Sequence, residues 1–386
     1  MASIGVLGAW TSPALPDLQQ NNTAITGDEG SWIGSLAGLG GLFGSLPAGL
    51  LANKLGRRTV LLGLTLPFIL SWVVIILGQK SIIMLYSGRI ILGFANGASS
   101  EVTPLYVEEI SETSIRGELG LYQNVAISVA ILYVYAIGEF VPYIWLCISC
   151  LAIPLVFALT FFWMPESPMY LLSKGRKAEA ETSLRWLRNI STLDTPLETK
   201  TELIEMENCL KKPSDNCKFL SDCSTNSTVF KSLFLVLGLN AFKQLSGICP
   251  IVFYTGGIFE VGGSKLSPYY YSLIIAVVHV IPCLIGIVLV DRLGRRILLL
   301  ISELCTGDTR GWICSVGGSF NWGMIFLMAK GFSLMLVAWG QAVTYGVFSA
   351  FCVIASVFVY TCIPETKGKS EMKFRLYFQE RNMLKL

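Results

Sequence analysis

Apolar runs of about 20 residues follow one another through most of this 386-residue chain, separated by short polar segments. A helix of that length crosses the hydrocarbon core of a bilayer and satisfies its backbone hydrogen bonds internally. The chain is 53% hydrophobic and only 14% charged, whereas a soluble domain carries about 25% charged residues. The sequence therefore predicts an all-α polytopic membrane protein embedded in a lipid bilayer.

The basic residues are unevenly distributed. Most of the 29 Lys and Arg residues fall in segments on one face of the predicted helices, and the positive-inside rule makes that face cytoplasmic. We expect both termini on this face, and we interpret the basic residues as topology anchors rather than as a nucleic-acid site. The sequon Asn21-Asn22-Thr23 then belongs to an outer loop, residues 17–30, where glycosylation of Asn21 is expected.

The apolar pattern predicts ten helices, of which the first is incomplete. Residues 1–16 would form a helix only about 24 Å long, which is shorter than the hydrocarbon core. The other helices are predicted at residues 31–52, 59–77, 82–106, 119–137, 143–164, 229–259, 269–290, 312–337 and 341–362. The helix at 229–259 is expected to be interrupted near Gly247 and Pro250. Four regions follow: a first bundle at 1–164, a cytoplasmic loop with short amphipathic helices at 165–228, a second bundle at 229–363 and a cytoplasmic tail at 364–386.

A basic turn occurs twice in this pattern. Asn53-Lys54-Leu55-Gly56-Arg57-Arg58 and Asp291-Arg292-Leu293-Gly294-Arg295-Arg296 each join two apolar runs. Repeated position, order and flanks are expected of the duplicated halves of a transporter. The second turn is followed by only six apolar residues, 297–302, before Glu303, so the helix count fails at this point.

Further motifs accompany the two turns in a fixed order. They are Gly88-Arg89, Pro104-Leu105-Tyr106 with Glu109 and Arg116-Gly117, Pro165-Glu166-Ser167-Pro168, Gln244-Leu245-Ser246-Gly247, Asn321-Trp322, and Pro364-Glu365-Thr366-Lys367-Gly368-Lys369. With these motifs the chain resembles the sugar porter family of the major facilitator superfamily over nearly its whole length. Trp10-Thr11-Ser12-Pro13 and Gly30-Ser31-Trp32 are most similar to insect facilitative transporters of the trehalose type.

The resemblance implies two pseudo-symmetric bundles of six helices, with a small-molecule sugar held between them in the plasma membrane. It implies alternating access without covalent chemistry, and we expect neither an enzyme activity nor a cofactor or metal. Against the family's twelve helices, this chain lacks helix 9, most of helix 10 and the start of helix 1. An alternative is therefore a non-transporting relative, such as a sensor or an inactive isoform.

A proton symporter is the second alternative. In proton-linked members of the family, a carboxylate on the first helix is thought to pair with the arginine that matches Arg89. Residues 1–16 contain no acid, and the nearest equivalent position is Leu7. Since proton exchange needs a titrating group, we predict uncoupled, facilitated diffusion.

The resemblance also implies a sugar site on broken membrane helices. Its candidate residues are Gln244 and Ser246 beside Gly247, Gln123 and Asn124, Asn321 and Trp322, and Tyr254 as an extracellular gate. Helix packing is the alternative role for Gln244, and an interfacial position is the alternative for Trp322. The single histidine, His279, is interpreted as packed, neutral and hydrogen-bonded rather than as a proton carrier.

Two positions depart from the family pattern at this site. Lys243 stands where the family usually has a glutamine, and Cys249 where it has an asparagine. A lysine at this depth is costly unless it is paired or hydrated. Lys243 is therefore expected to snorkel, to pair with an acid, or to prevent ordinary hexose binding.

The cytoplasmic charges form a second group of candidates that repeats between the halves. The first set is Arg57, Arg58, Glu109, Arg116 and Glu166, and the second is Arg295, Arg296, Glu303, Arg310 and Glu365. Ion pairs among them would latch the two halves in the outward-open state, and solvated loop charges are the alternative. Asp291 should brace the second turn, whereas its counterpart Asn53 is neutral.

Overall fold

The computed structural model describes residues 1–21, 25–112, 115–190, 197–210, 227–261, 268–293 and 307–362. Within these ranges the chain is helical and contains no strand, which confirms the all-α prediction. The first half consists of α1 (Ala2–Ala9), α2 (Thr11–Asn21), α3 (Gly27–Leu55), α4 (Arg57–Gly63), α5 (Thr65–Leu77), α6 (Ile82–Ile110), α7 (Arg116–Gly138) and α8 (Tyr143–Phe161).

Three short helices follow and lead into the second half. They are α9 (Pro168–Ser173), α10 (Lys177–Leu187) and α11 (Leu197–Leu210), in the segment where short amphipathic helices are predicted. The second half contains α12 (Ser227–Leu245), α13 (Ile248–Val261), α14 (Pro268–Leu293) and α15 (Gly307–Cys362). Seven helices of the described ranges are long and apolar enough to cross a membrane, and the 17-residue apolar segment Tyr269–Ile285 lies within α14.

The longest helix, α15, has 56 residues, which is too long for one span. At about 1.5 Å per residue it would measure more than twice the thickness of the hydrocarbon core. Gly340 interrupts it with a φ of 76° and a ψ of 171°, a conformation that glycine adopts without a steric penalty. Its two parts correspond to the last two predicted helices, which meet at this glycine.

Both predicted boundaries of the loop at residues 17–30 are wrong. The helix α2 continues to Asn21, and α3 begins at Gly27. A capping box starts α3, because the Thr26 hydroxyl accepts from the backbone N–H of Glu29 while the Glu29 carboxylate accepts from that of Thr26. The Thr-x-x-Glu spacing is a known start signal for a helix, and here it outweighs the polarity of the segment. The rest of the sequon at Asn21 lies outside the described residues.

Glycines allow α3 and α6 to pack backbone against backbone. A Cβ atom on Gly44 would collide with the carbonyl oxygen of Phe94, and one on Gly97 would collide with that of Gly41. Small residues permit such close approach between membrane helices. The pair α3–α6 thereby forms a rigid unit of the first half.

Two helix pairs make the most extensive contacts between the halves. The first pair is α3 with α15, which run antiparallel. The hydroxyls of Ser45 and Ser319 lie 2.8 Å apart toward one end of this pair, and Asp28 contacts Lys330 toward the other end. The second is α7 with α14, joined where the Ser128 hydroxyl lies 2.8 Å from Nδ1 of His279. The candidate site lies between these two seams.

Candidate functional site

The break between α12 and α13 confirms the interruption predicted near Gly247. Helix α12 ends at Leu245 and α13 begins at Ile248. Gly247 has a φ of 83°, which a residue with a side chain rarely adopts, and the ring of Phe348 occupies the space of a Cβ atom. Backbone polar groups are freed at such a break, which is where membrane transporters place ligand sites.

Beside this break the structure brings two of the candidate residues together. Nε2 of Gln244 donates to Oδ1 of Asn321 across 2.8 Å. Gln244 is buried, and its Oε1 atom has no hydrogen-bond partner within the part of the chain that the structure describes. A buried acceptor without a donor is costly. This enclosed oxygen would therefore gain a hydrogen bond if the site opened and a ligand hydroxyl reached it.

The hydroxyl of Ser246 lies on the same break but is engaged locally. It donates to the carbonyl oxygen of Lys243 across 2.7 Å. Its proton is therefore committed, and its remaining lone pairs can still accept a hydrogen bond.

Trp322 lies between the two halves of the protein. It is buried, and its Nε1 donates to the hydroxyl of Ser100 across 3.1 Å while its ring packs on Gly41. These contacts join α15 to α6 and α3. A buried tryptophan between helices does not fit the alternative of an interfacial aromatic belt.

Tyr254 also contacts both halves, nearer the predicted extracellular side. Its ring stacks on Phe332 with centroids 5.8 Å apart. Its hydroxyl lies 3.2 Å from the carbonyl oxygen of Ala329 and 3.4 Å from that of Ser31, and the space of a Cβ on Gly34 is taken by the same hydroxyl. This position suits a residue that separates the site from the extracellular side.

Gln123 and Asn124 lie on α7, and the described hydrogen bonds do not link their side chains to Gln244. The Ser128 hydroxyl of the same helix donates to the carbonyl oxygen of Asn124 across 2.9 Å. The Ser128 hydroxyl also lies 2.8 Å from Nδ1 of His279, and the tautomer of His279 decides which of the two groups donates. His279 is therefore packed and hydrogen-bonded, as predicted.

Arg89 is fully buried and is surrounded by neutral acceptors. Its Nε donates to the carbonyl oxygen of Ile33 at 2.9 Å, its Nη1 to that of Leu7 at 3.1 Å and its Nη2 to the hydroxyl of Thr11 at 2.9 Å. Its guanidinium also lies 5.2 Å from the ring centroid of Trp10. The chain before α3 thus offers this guanidinium a backbone carbonyl and a hydroxyl as acceptors.

The cytoplasmic charges of the first half form a compact cluster. Arg57 and Glu109 form an ion pair of 2.8 Å, and both side chains are about nine-tenths buried. Oε1 of Glu166 accepts the backbone N–H groups of Arg57, Arg58 and Ser167, each at 3.0 Å. The hydroxyl of Ser167 donates to Glu109 and completes the ring of contacts. Glu166 thereby fixes the basic turn against the start of α9.

The rest of the predicted latch lies outside the described part of the chain. The side chains of Arg116, Asp291 and Arg310 are not described, and residues Arg295, Arg296, Glu303 and Glu365 lie in undescribed segments. The described hydrogen bonds of the Arg57 cluster join the first half to the start of α9 and do not reach the second half. The latch between the halves remains a prediction.

Sequence reasoning missed two charged residues at the seam between the halves. Lys330 forms an ion pair of 2.5 Å with Asp28, although 302 positions separate them. Glu101, on α6, packs its carboxylate against Gly318 of α15. An acid or a base within an apolar run is the only sequence signal for either residue, and it does not identify the partner.

The sequence of this chain is similar to those of known sugar transporters. The model of the family described as "Sugar (and other) transporter" matches residues 17–302 and 297–378. A facilitated trehalose transporter, Tret1, of Aedes aegypti is 30% identical over 429 residues, covering 95% of this chain and 52% of that protein. Tret1 of Culex quinquefasciatus is 29% identical, covering 95% of this chain and 81% of that protein. The chain thus spans about half the length of the first relative and about four-fifths of the second.

Solved structures agree on the fold. The proton:xylose symporter XylE bound to 6-bromo-6-deoxy-D-glucose gives a TM-score of 0.77 at 18% identity, covering 96% of each chain. The partially occluded inward-open conformation of XylE from E. coli gives 0.75 at 18% identity, covering 94% of this chain and 97% of the other. At this identity the likeness concerns the fold alone, which is that of the major facilitator superfamily.

The comparisons also bear on the missing helices. The two family matches meet at residues 297–302, the point at which the predicted helix count fails. The alignments with the relatives run over 429 positions, more than the 386 residues of this chain. The relatives therefore carry internal residues that this chain lacks, in agreement with the predicted loss of helices 9 and 10.

Proposed function

This chain belongs to the sugar (and other) transporter family, and we propose that it carries a sugar, a hexose or a disaccharide such as trehalose, across a membrane by alternating access. One observation carries the proposal. Gln244, beside the helix break, pairs with Asn321 of α15, and Oε1 of Gln244 is left without a donor among the described residues. A sugar hydroxyl is the group that such an acceptor binds.

The other candidate residues take roles around this amide pair. Ser246 supplies lone pairs, and the indole of Trp322 offers an apolar face to a sugar ring. Tyr254 closes the site toward the outside. Gln123 and Asn124 approach the sugar from the first half when the two bundles rock, because α7 forms one of the two seams between them.

Facilitated rather than proton-driven transport is the coupling mode we favour. The neutral environment of Arg89, with donors to Leu7, Ile33 and Thr11, supports it. No acid of the described first helix contacts this guanidinium. We further infer a plasma-membrane location, cytoplasmic termini and a glycan at Asn21 from the charge distribution and the sequon.

Gating is assigned to the charged clusters. The Arg57–Glu109 pair and its Glu166 brace hold the cytoplasmic end of the first half rigid. In the outward-open state Arg58 and Arg116 would face the acids of the second set, Glu303 and Glu365. The residues Arg295, Arg296, Arg310 and Asp291 would belong to the equivalent cluster of the second half. Breaking this latch would open the cytoplasmic side.

The test is sugar flux in proteoliposomes that contain the full chain. Uptake of radiolabelled trehalose and glucose is measured for the wild type, Gln244→Ala and the control Lys80→Gln, whose side chain is exposed in the connection before α6. We expect at least a tenfold loss of the uptake rate in Gln244→Ala and none in the control. Absence of flux for every sugar offered to the wild type would instead support a non-transporting relative.

A further inference from the structure

Lys243 carries a positive charge on α12 directly before Gln244, at the depth of the proposed site. Its side chain is exposed, although protein surrounds it on most sides. A side chain that is both enclosed and accessible faces an internal space rather than the outer surface of the bundle. Its charge acts on Cys249 and His279, which lie on α13 and α14.

The ion pairs that the structure describes do not include Lys243. Glu101 is an acid in the middle of α6, and its carboxylate packs against Gly318. The polar groups around the site are otherwise neutral, among them the amides of Asn240, Gln244 and Asn321. The described part of the site therefore presents an ammonium group without a counter-ion.

An ammonium group within a membrane is costly unless water or an opposite charge accompanies it. Water hydrates it while the site is open, but the site must close around its cargo during alternating access. Closure removes that water and strengthens any ion pair that forms inside. A cargo that brings its own negative charge satisfies Lys243 in the closed state, whereas a neutral sugar does not.

We propose that Lys243 binds an acidic group, a carboxylate or a phosphate, on the transported sugar. This inference rests on the proposed transport function and narrows its substrate class to anionic sugars. The ammonium pairs with the acidic group, and the adjacent Oε1 of Gln244 accepts from a ring hydroxyl. Lys243 and Gln244, which are adjacent in sequence before the helix break, thus bind the two ends of one small ligand.

The first experiment measures flux in proteoliposomes that contain the full chain. Radiolabelled glucuronate and glucose 6-phosphate represent the two acidic groups, and glucose and trehalose serve as neutral sugars. We expect at least a tenfold higher uptake of one anion than of either neutral sugar. An inside-positive voltage should increase anion uptake, because net negative charge enters with each sugar, and should leave neutral uptake unaffected.

Substitution identifies the responsible residue. Lys243→Gln should lower anion uptake at least tenfold and shift the preference toward neutral sugars. The residual anion uptake should still respond to voltage, because the cargo carries the charge. Lys80→Gln, which removes an exposed lysine outside the site, should behave as the wild type. A comparison of glucose 6-phosphate uptake with glucuronate uptake shows whether the preferred acidic group is a phosphate or a carboxylate.

Two outcomes would overturn the inference, and they differ. Uptake of neutral sugars that equals or exceeds anion uptake, unaltered by Lys243→Gln, overturns the anionic substrate and leaves sugar transport standing. Flux of no sugar overturns the transport function itself. In that case thermal stabilisation of the purified chain by the anions, lost in Lys243→Gln, still supports the site, and equal stabilisation of both proteins overturns it.

Discussion

The ammonium group of Lys330 lies 2.5 Å from a carboxylate oxygen of Asp28 and ties α15 to the first turn of α3. The same ammonium donates to the hydroxyl of Ser31 at 2.7 Å and lies 4.4 Å from the ring centroid of Trp32. Three groups of the first half thus hold one cation of the second. The contact sits at the predicted extracellular end of the seam, near Tyr254, so opening the site to the outside requires these bonds to separate.

Asp28→Asn should weaken this closure. The pair is partly exposed, and such pairs contribute about 1 kcal/mol, so the open population should rise roughly fivefold. Cys249 is buried on α13, one helical turn and a half from Tyr254. A membrane-impermeant maleimide added outside should therefore label Cys249 several-fold faster in Asp28→Asn.

The control for this experiment removes the reporter. In a Cys249→Ala background the added labelling should disappear, and Lys80→Met should label as the wild type. Equal labelling rates with and without Asp28→Asn would show that the ion pair does not limit extracellular opening.

The amide pair at the broken helix permits a double-mutant cycle. Gln244→Ala leaves Oδ1 of Asn321 without its donor, and an orphaned buried acceptor costs about 1–3 kcal/mol. Asn321→Ala should cost a similar amount, and the double variant should lose less than the sum. The melting temperature in detergent measures the cycle; strict additivity would mean that the two side chains do not interact.

The ion pairs of the cytoplasmic cluster should differ in strength according to burial. Glu109→Gln leaves Arg57 buried without its counter-charge, and breaking such a pair costs about 3–5 kcal/mol. Glu179→Gln removes a partner of Arg176 in a pair whose side chains are more than half exposed, and it should leave the melting temperature close to that of the wild type. Thermal unfolding of both variants provides the comparison, and similar losses would contradict the assigned burial.

Local sequence signals predicted the broken helix but not the partners across the seam. Gly247 and Pro250 interrupt an apolar run, so the break at Ser246 and Gly247 could be located without a structure. The Asp28–Lys330 pair could not, because 302 positions separate the two residues and the pair depends on how α3 meets α15. The capping box at Thr26 was readable from its spacing, yet the polar composition of residues 17–30 favoured a loop.

The surroundings of Arg89 were predictable only in part. The sequence predicts that the first helix offers Arg89 no acid. The structure identifies the acceptors instead, which are the carbonyl oxygens of Leu7 and Ile33 and the hydroxyl of Thr11. A backbone acceptor has no residue signature. Contacts of this kind follow from the helix packing and not from side-chain identity.

Coupling to protons can be tested at this arginine. Because its described acceptors are neutral, the wild type should only equilibrate sugar across proteoliposomes under an imposed pH gradient, acidic outside. Leu7→Asp places a titratable carboxyl group on the first helix, at the residue whose carbonyl oxygen accepts from Arg89. This variant should accumulate sugar above equilibrium. Leu7→Asn, with the same shape and no titration, is the matched control and should equilibrate only. Accumulation by the wild type would contradict facilitated diffusion and would mean that a carboxyl group elsewhere, such as Glu101, carries the proton.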